Sequence, residues 1–231
     1  MLIYSHRGES KYAPENTMSS FFLSYLLNSD GIECDVRRTK DGQFVIIHDK
    51  TIDRTSDGKG KVSDYTISQL KEYNFGNSRY RDEKIMTLDE FLAFFSNKGL
   101  NIYLEIKEEG YEDEIWKILS KYNLSNIMII SFKYEILNNF RKISKILKFG
   151  WLVHDINKSI ISDALKIKID ILICNCISLT KKDIKLIKEN NLKIGAWGIK
   201  SIAELKRLNK LGLDSIVYDS YIDAKKALKN E

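Results

Sequence analysis

The sequence predicts an α/β fold, a single (β/α)8 TIM barrel that takes up all 231 residues. Short β-branched runs alternate with longer segments whose apolar residues recur at helical spacing. Eight strands and eight helices of this kind in one chain are typical of a closed barrel. The alternative is an open doubly wound sheet, but the glycine-rich fingerprint of a dinucleotide-binding sheet is missing after the first strand.

The elements follow one another at regular intervals along the chain. The predicted strands are the β-branched runs at 2–5, 32–36, 101–107, 127–132, 148–153, 170–174, 193–197 and 215–218. The predicted helices are the segments between them, at 16–27, 87–96, 112–122, 134–144, 160–167, 181–189, 201–211 and 224–229. Asn16, Thr87, Thr180 and Ser201 stand where N-capping residues are expected for four of these helices.

One region interrupts this alternation. An additional strand-like run at 44–48 precedes a polar, turn-rich stretch at 49–86. A connection of this length in a compact domain usually has a function. We therefore expect 49–86 to form a small insertion after the second strand, over the carboxyl-terminal mouth of the barrel.

The composition argues against several classes of protein. Hydrophobic residues make up 43% of the chain and charged residues 30%, which is typical of a folded globular protein rather than a disordered one. The net charge of +5 favours anionic ligands only weakly, because the lysines are scattered and form no compact basic block. We therefore expect no nucleic-acid partner.

Targeting and membrane signals are also missing from the sequence. The first apolar run, 2–4, is too short for a secretory signal, and no run approaches the roughly 18 apolar residues of a membrane span. Cys34, Cys174 and Cys176 form no CxxC pair, so we expect buried thiols rather than a disulfide framework or a zinc site. These features predict a cytoplasmic protein without stable membrane insertion; they leave the oligomeric state open.

Ionisable side chains gather at the ends of the first strands, where the active site of this fold forms. Glu33 and Asp35 lie two residues apart in one strand, so their carboxylates share a face. Glu105 and Lys107 share a face of the next barrel strand. They should point inward, because the alternate residues of that strand, Ile102, Leu104 and Ile106, are apolar and must meet the helices. Three converging carboxylates repel one another unless a cation binds, and their oxygens suit Mg²⁺ or Ca²⁺ better than zinc.

Several further motifs accompany these residues, and two of the three histidines, His6 and His48, are predicted to lie at the same mouth. The motifs are, in chain order, His6-Arg7-Gly8, Ala13-Pro14-Glu15-Asn16-Thr17, Glu33-x-Asp35-Val36, Thr39-x-Asp41-Gly42, His48-Asp49, Asp53-Arg54-Thr55, Gly60, Thr87-Leu88-x-Glu90, Glu105-Ile106-Lys107 and Trp197. In order and spacing this set resembles the glycerophosphodiester phosphodiesterase family. The resemblance spans nearly the whole chain but is dense only over the first 107 residues.

The resemblance implies a role for each candidate residue. The ligands of a divalent metal ion, Mg²⁺ or Ca²⁺, would be Glu33, Asp35 and Glu105. His6 and His48 would form the general acid–base pair, while Arg7 and Lys107 would neutralise the phosphate oxygens. The resemblance leaves open which histidine is the acid; we assign His6 as base and His48 as acid. Trp197 would either form a wall for the glycerol or the head group or serve only packing at the end of its strand. The implied reaction converts a small-molecule glycerophosphodiester to a glycerol phosphate and a free alcohol, by way of a cyclic phosphate that water opens.

The carboxyl-terminal half departs from the family pattern. Gly198-Ile199-Lys200 follows Trp197 where the family usually has Thr-Val-Asn, and Asp219-Ser220-Tyr221 ends the last strand without the usual proline. These positions belong to the far wall of the mouth, so the resemblance does not set the head-group preference. His154 ends the fifth predicted barrel strand, and we interpret it as structural or substrate-contacting rather than as a third catalyst.

Two other functions are compatible with the same residues. The first is a lysophospholipase D or sphingomyelinase-D-like phosphodiesterase, which an exposed apolar face on the insertion would favour; its polar composition opposes this. The second is a non-catalytic module that binds phosphate ligands. Such a module is expected to have lost at least one metal ligand or histidine, and all five are present.

Overall fold

The structure, a computed structural model, describes residues 1–229. Eight parallel strands form a closed barrel: β1 (Leu2–His6), β2 (Gly31–Arg38), β4 (Asn101–Ile106), β5 (Ile127–Ser131), β6 (Lys148–Val153), β7 (Ile171–Asn175), β8 (Lys193–Trp197) and β9 (Ser215–Tyr218). Strand β1 pairs with both β2 and β9, which closes the barrel. A short strand, β3 (Phe44–Ile46), pairs antiparallel with β2. The (β/α)8 prediction is confirmed.

Within residues 1–229, eight helices follow the barrel strands on the outside, and one more lies in the insertion. They are α1 (Met18–Leu26), α2 (Ile67–Leu70), α3 (Leu88–Phe95), α4 (Glu112–Leu119), α5 (Tyr134–Ile143), α6 (Lys158–Lys166), α7 (Lys181–Glu189), α8 (Ile202–Lys210) and α9 (Tyr221–Lys229). Thr87, Thr180 and Ser201 cap their helices as predicted, each accepting a hydrogen bond from a backbone N–H three residues later. Three predicted helix starts are wrong. The first helix is capped by Thr17 rather than Asn16, and α6 begins at Lys158 rather than at residue 160 because Asn157 caps it. The last helix begins at Tyr221, because Ser220 accepts a hydrogen bond from the N–H of residue 223.

Strand side chains alternate between two apolar layers. Ile102, Leu104 and other alternate residues pack against the helices in the larger layer. The smaller layer fills the barrel, and there the rings of Tyr4 and Tyr103 stack with their centroids 3.6 Å apart. Gly150 leaves room for these side chains, because a Cβ at position 150 would clash with the Ile130 side chain at 2.9 Å. Glu105 lies two residues after Tyr103 on the same strand, so its side chain points into the barrel as predicted.

The insertion, residues 49–86, has a small core of its own. It contains α2 and one 3₁₀ turn, Val62–Asp64. Its apolar side chains, including Ile52, Leu70 and Phe75, are buried together with Val45 beside them. The large apolar side chains that are exposed within residues 1–229 all lie outside the insertion.

Two other expectations concern thiols and membrane spans. Cys34, Cys174 and Cys176 are free and buried, as predicted. None of the helices in the described part of the chain combines the length and the apolar character needed to cross a bilayer.

Candidate active site

Three carboxylates meet near the carboxyl ends of two neighbouring barrel strands. Asp35 of β2 is the register partner of Glu105 of β4, and Glu33 lies one inward-facing position earlier on β2. One oxygen of each residue lies within 4.8 Å of the other two, and all three side chains are buried. Ligand oxygens about 2.0–2.6 Å from one Mg²⁺ or Ca²⁺ ion are separated by such distances, so the donor set and its spacing fit that kind of ion.

These carboxylates perturb one another strongly. Burial, followed by the charge of Asp35, raises the pKa of Glu105 to about 7. Burial and the other two carboxylates raise the pKa of Glu33 well above its usual value. Burial also acts to raise the pKa of Asp35, but Lys107 and Arg7 outweigh it and the net direction is downward. Because two of the three carboxyls resist ionisation, the cluster would be stabilised by a bound cation.

Two cationic side chains flank the carboxylates and line the adjoining cavity. Lys107 Nζ lies 2.6 Å from Glu105 Oε1 and 2.8 Å from Asp35 Oδ1, although the contact with Asp35 Oδ1 lacks good hydrogen-bond geometry. Arg7 Nε lies 3.4 Å from Asp35 Oδ2, and the backbone N–H of Arg7 donates to Glu33 Oε2 at 3.0 Å. Both cations therefore contact the carboxylate cluster and also reach the space where an anion could bind.

The loop after β1 has an unusual backbone that serves this cluster. Arg7 and Asn16 adopt left-handed conformations, with φ of 56° and 57°. Such a conformation costs about 1–3 kcal/mol at a residue other than glycine, so other contacts must maintain it. The N–H of Asn16 donates to the carbonyl of Arg7 at 3.0 Å, and Asn16 Nδ2 donates to Asp35 Oδ2 at 2.8 Å. Asn16 thus holds a carboxylate of the cluster instead of capping α1.

His6, at the end of β1, is held by an acidic residue from the far end of the chain. Its Nδ1 lies 2.6 Å from Oδ1 of Asp219, which directly follows β9. A hydrogen bond between these atoms leaves Nε2 as the ring nitrogen available to a ligand. The side chain of His6 is 29% exposed and lines the cavity.

His48 has a similar arrangement two residues after β3. Its Nδ1 lies 2.6 Å from Asp49 Oδ1, and its backbone carbonyl accepts a hydrogen bond from Arg37 Nε at 2.7 Å. Burial lowers the pKa of His48, and the charge of Asp35 only partly offsets that effect. Both imidazoles therefore have one nitrogen paired with a carboxylate, and both line the same cavity.

The cavity has a volume of about 290 Å³, and its far wall is apolar and aromatic. Trp197 lines that wall, and its indole N–H donates to the carbonyl of Val153 at 3.2 Å. The Trp197 ring meets Phe132 and His154 edge to face, with centroids 5.1 and 5.2 Å away. Lys200, from the segment that departs from the family pattern, lies at the rim. Besides Trp197, seven residues were predicted to belong to the site. Asp35 contacts both cations, and the other six line the cavity: His6, Arg7, Glu33, His48, Glu105 and Lys107.

Sequence reasoning assigned no role to several residues that the structure places around the site. Asp219 pairs with His6, and Glu15 pairs with Arg7 at 2.8 Å between Oε1 and Nη1. Arg54 of the insertion pairs with Glu15. Glu15 and Arg54 belong to recognised motifs and Asp219 directly follows the last strand, but the partners that give these residues a role lie far away in the sequence.

Comparison with known proteins gives the family. The model of the glycerophosphoryl diester phosphodiesterase family matches residues 6–222. A glycerophosphodiester phosphodiesterase of Caldanaerobacter subterraneus subsp. tengcongensis is 33% identical over 227 residues, which cover 94% of this chain and 93% of the relative.

Solved structures agree with this match. A phosphodiesterase of Oleispira antarctica, solved in complex with the product sn-glycerol-3-phosphate, is 26% identical and has a TM-score of 0.93 over 99% of this chain and 97% of that one. A glycerophosphodiester phosphodiesterase of Thermotoga maritima, 24% identical with a TM-score of 0.81 over 100% and 98% of the two chains, shares the fold. The chain belongs to the glycerophosphoryl diester phosphodiesterase family and is a phosphoric diester hydrolase.

Proposed function

We propose that the protein hydrolyses glycerophosphodiesters to a glycerol phosphate and a free alcohol, with a divalent metal ion and two histidines as acid and base. One observation carries the proposal: a buried three-carboxylate cluster, two cations and two carboxylate-paired imidazoles surround a single cavity. Each of these groups supplies something that phosphodiester hydrolysis requires.

Charge balance supports the requirement for a metal ion. Fully ionised, Glu33, Asp35 and Glu105 outweigh Arg7 and Lys107 by one negative charge, which would repel an anionic diester. A divalent ion held by the three carboxylates reverses that sign, and one phosphodiester then neutralises it. When bound, the ion supplies Lewis-acid stabilisation of the charge that develops at phosphorus. Arg7 and Lys107 add hydrogen bonds to the phosphate oxygens.

The two histidines suit proton transfer on opposite sides of the phosphorus. His6, oriented by Asp219, accepts the proton of the attacking glycerol hydroxyl, and His48 donates a proton to the departing alcohol oxygen. The first step closes a cyclic phosphate and releases the alcohol. In the second step His48 takes a proton from water, His6 returns one to the glycerol oxygen, and the ring opens.

The structure also bears on the choice of substrate. An exposed apolar face on the insertion would favour acylated substrates such as lysophospholipids, but the large apolar side chains described there are buried or partly buried. A cavity of about 290 Å³ suits a small, deacylated diester. Glycerophosphocholine and related glycerophosphodiesters are therefore the proposed substrates, ahead of lysophospholipids.

A substrate panel with metal titration tests the proposal. The chelated protein is assayed with Mg²⁺ or Ca²⁺ on glycerophosphocholine, glycerophosphoglycerol and lysophosphatidylcholine, and release of the free alcohol, choline or glycerol, is measured. We expect hydrolysis of the deacylated substrates only with metal, and its loss in His6→Ala and His48→Ala. Metal-independent turnover would contradict the proposed metal requirement, and full activity in either variant would contradict the acid–base assignment.

A further inference from the structure

Arg54 of the insertion connects the insertion's first residue, Asp49, to the loop after β1. Its Nε donates to Oδ2 of Asp49, the residue that follows His48 shortly after β3, at 2.7 Å. Its Nη1 and Nη2 donate to Glu15 Oε2 and Oε1 at 2.5 and 2.8 Å, in the loop after β1. The guanidinium thus fixes two carboxylates relative to each other through three N–H donors, and its planar fork makes that geometry specific.

Each of these carboxylates in turn holds a residue of the proposed mechanism. Asp49 uses its other oxygen, Oδ1, for His48 Nδ1 at 2.6 Å. Glu15 Oε1 also accepts a hydrogen bond from Arg7 Nη1 at 2.8 Å. A continuous chain therefore runs from His48 through Asp49, Arg54 and Glu15 to Arg7. It joins the proposed general acid to a proposed phosphate ligand.

The electrostatics agree with this geometry. The hydrogen bond from Arg54 is the main reason that the pKa of Asp49 falls to about 2. Burial acts to raise the pKa of Glu15, but hydrogen bonds and charge from Arg54 and Arg7 outweigh it and lower the pKa. Both carboxylates are thus ionised at neutral pH, as pairing with one guanidinium requires. Glu15 is only 19% exposed, so its ion pairs are less screened than ordinary surface pairs.

Arg54 does not itself reach the reacting groups. Among the described residues that line the cavity of about 290 Å³, none belongs to the insertion. The insertion also contacts the barrel away from the cavity, where Lys71 pairs with Glu90 of α3 and Ser19 of α1 donates to Glu83. These other contacts attach the insertion, whereas the Arg54 contacts continue toward the site.

We propose that Arg54 is a positioning residue, which holds Asp49 and Glu15 so that His48 and Arg7 face the phosphate at the same time. The proposal rests on the roles proposed above for His48 and Arg7. It gives the insertion a function other than covering the substrate: the insertion brings one guanidinium to the junction between the His48 loop and the β1 loop.

The test compares two cationic residues of the insertion in the metal-loaded, full-length protein. We expect Arg54→Ala to lower kcat about 10- to 100-fold, the usual effect of removing a partner that orients a functional group. Lys71→Met, which removes an ion pair of the same insertion, should keep the wild-type kcat and KM. The Arg54 side chain is 49% exposed and that of Lys71 is 40% exposed. Arg54→Ala should have the lower melting temperature, because it removes three hydrogen bonds, so kcat is compared at a temperature at which both variants are folded.

Two further measurements separate positioning from general loosening. Methylguanidinium added to the solution should restore kcat in Arg54→Ala and leave Lys71→Met unchanged, because it can occupy the same fork between two carboxylates. Arg54→Lys should keep the melting temperature but not the full kcat, since one ammonium cannot reproduce the bidentate contact with Glu15 and the bond to Asp49.

The possible failures are distinguishable. Wild-type kcat in Arg54→Ala, with His48→Ala inactive, would overturn the positioning role and leave the proposed reaction intact. An equal loss of kcat in Arg54→Ala and Lys71→Met, without rescue by methylguanidinium, would also overturn it. Full activity in His48→Ala would overturn both the acid–base mechanism and the inference built on it.

Discussion

His6 and Asp219 are 213 positions apart in the chain, yet His6 Nδ1 and Asp219 Oδ1 lie 2.6 Å apart. They meet because β1 and β9 are the strands that close the barrel, with Ser5 opposite Tyr218 in the parallel register. A proposed catalytic base at the start of the chain therefore depends on an acidic residue at its end. The hydrogen bond to His6 is the main cause of the lowered pKa of Asp219, so that carboxylate is ionised at neutral pH.

We expect Asp219→Asn to lower kcat about 10- to 100-fold, because an amide can donate to Nδ1 and favour the tautomer in which Nε2 carries the proton. That tautomer cannot accept the proton of the attacking hydroxyl. Asp223→Asn is a matched control, because Asp223 lies four residues later and pairs with Lys11 instead. Steady-state kinetics on both variants test this, and equal kcat values would show that Asp219 does not orient the base.

Metal binding should depend on pH through the carboxylate cluster. The folded pKa of Glu105, about 7, lies above its ordinary value of 4.5. A carboxyl group whose pKa is higher in the folded than in the unfolded state contributes stability that is fully present below the unfolded-state pKa. That contribution to the free energy of unfolding is lost as pH rises through the folded-state pKa. The metal-free protein should therefore lose stability between about pH 4.5 and 7 relative to its metal-loaded form.

The measurement is the melting temperature with Mg²⁺ or Ca²⁺ minus that with chelator, taken from pH 5 to 8. We expect the difference to grow with pH, because the ion replaces protons on Glu33 and Glu105. In Glu105→Gln the growth should be smaller, since one titrating carboxyl is gone. A difference that stays constant with pH would contradict the metal site.

The barrel was predictable because its signals are local. Alternating apolar residues and capping residues such as Thr87 and Ser201 specify each strand or helix from a few neighbouring positions. The carboxylate cluster was predictable for the same reason: Glu33 and Asp35 share a strand, and the next barrel strand carries Glu105. Parallel strands then place all three at one end of the barrel.

The supporting contacts were not predictable in this way. Asn16 has the sequence environment of a capping residue, yet its left-handed backbone turns the side chain toward Asp35. Arg54 belongs to a recognised motif, Asp53-Arg54-Thr55, but its two partners are known only once the insertion is folded. Such contacts depend on where separate loops meet, which local pattern does not specify.

Trp197 is predicted to act on substrate binding rather than on the chemical step. Trp197→Ala removes the aromatic wall opposite the charged residues, so we expect KM to rise about tenfold, since a well-packed aromatic contact contributes about 1 kcal/mol or more. Trp197→Phe should restore most of the affinity. Trp151→Ala is the control, because Trp151 also donates its indole N–H to a backbone carbonyl but does not line the cavity. A fall in kcat with unchanged KM in Trp197→Ala would contradict this role.

Asn16 offers a way to separate backbone strain from metal affinity. Asn16 and Asn191 both have φ of 57°, but Asn191 follows α7 on the outside of the barrel and Asn16 donates to Asp35. Alanine tolerates this conformation less well than asparagine, so both alanine variants should lose about 1 kcal/mol of stability. Only Asn16→Ala should also weaken metal binding, by about 10- to 100-fold, because Asp35 loses the hydrogen bond that orients it. Isothermal titration with Mg²⁺ or Ca²⁺ measures that affinity directly. If the two variants bind metal equally well, Asn16 serves only the backbone of its loop.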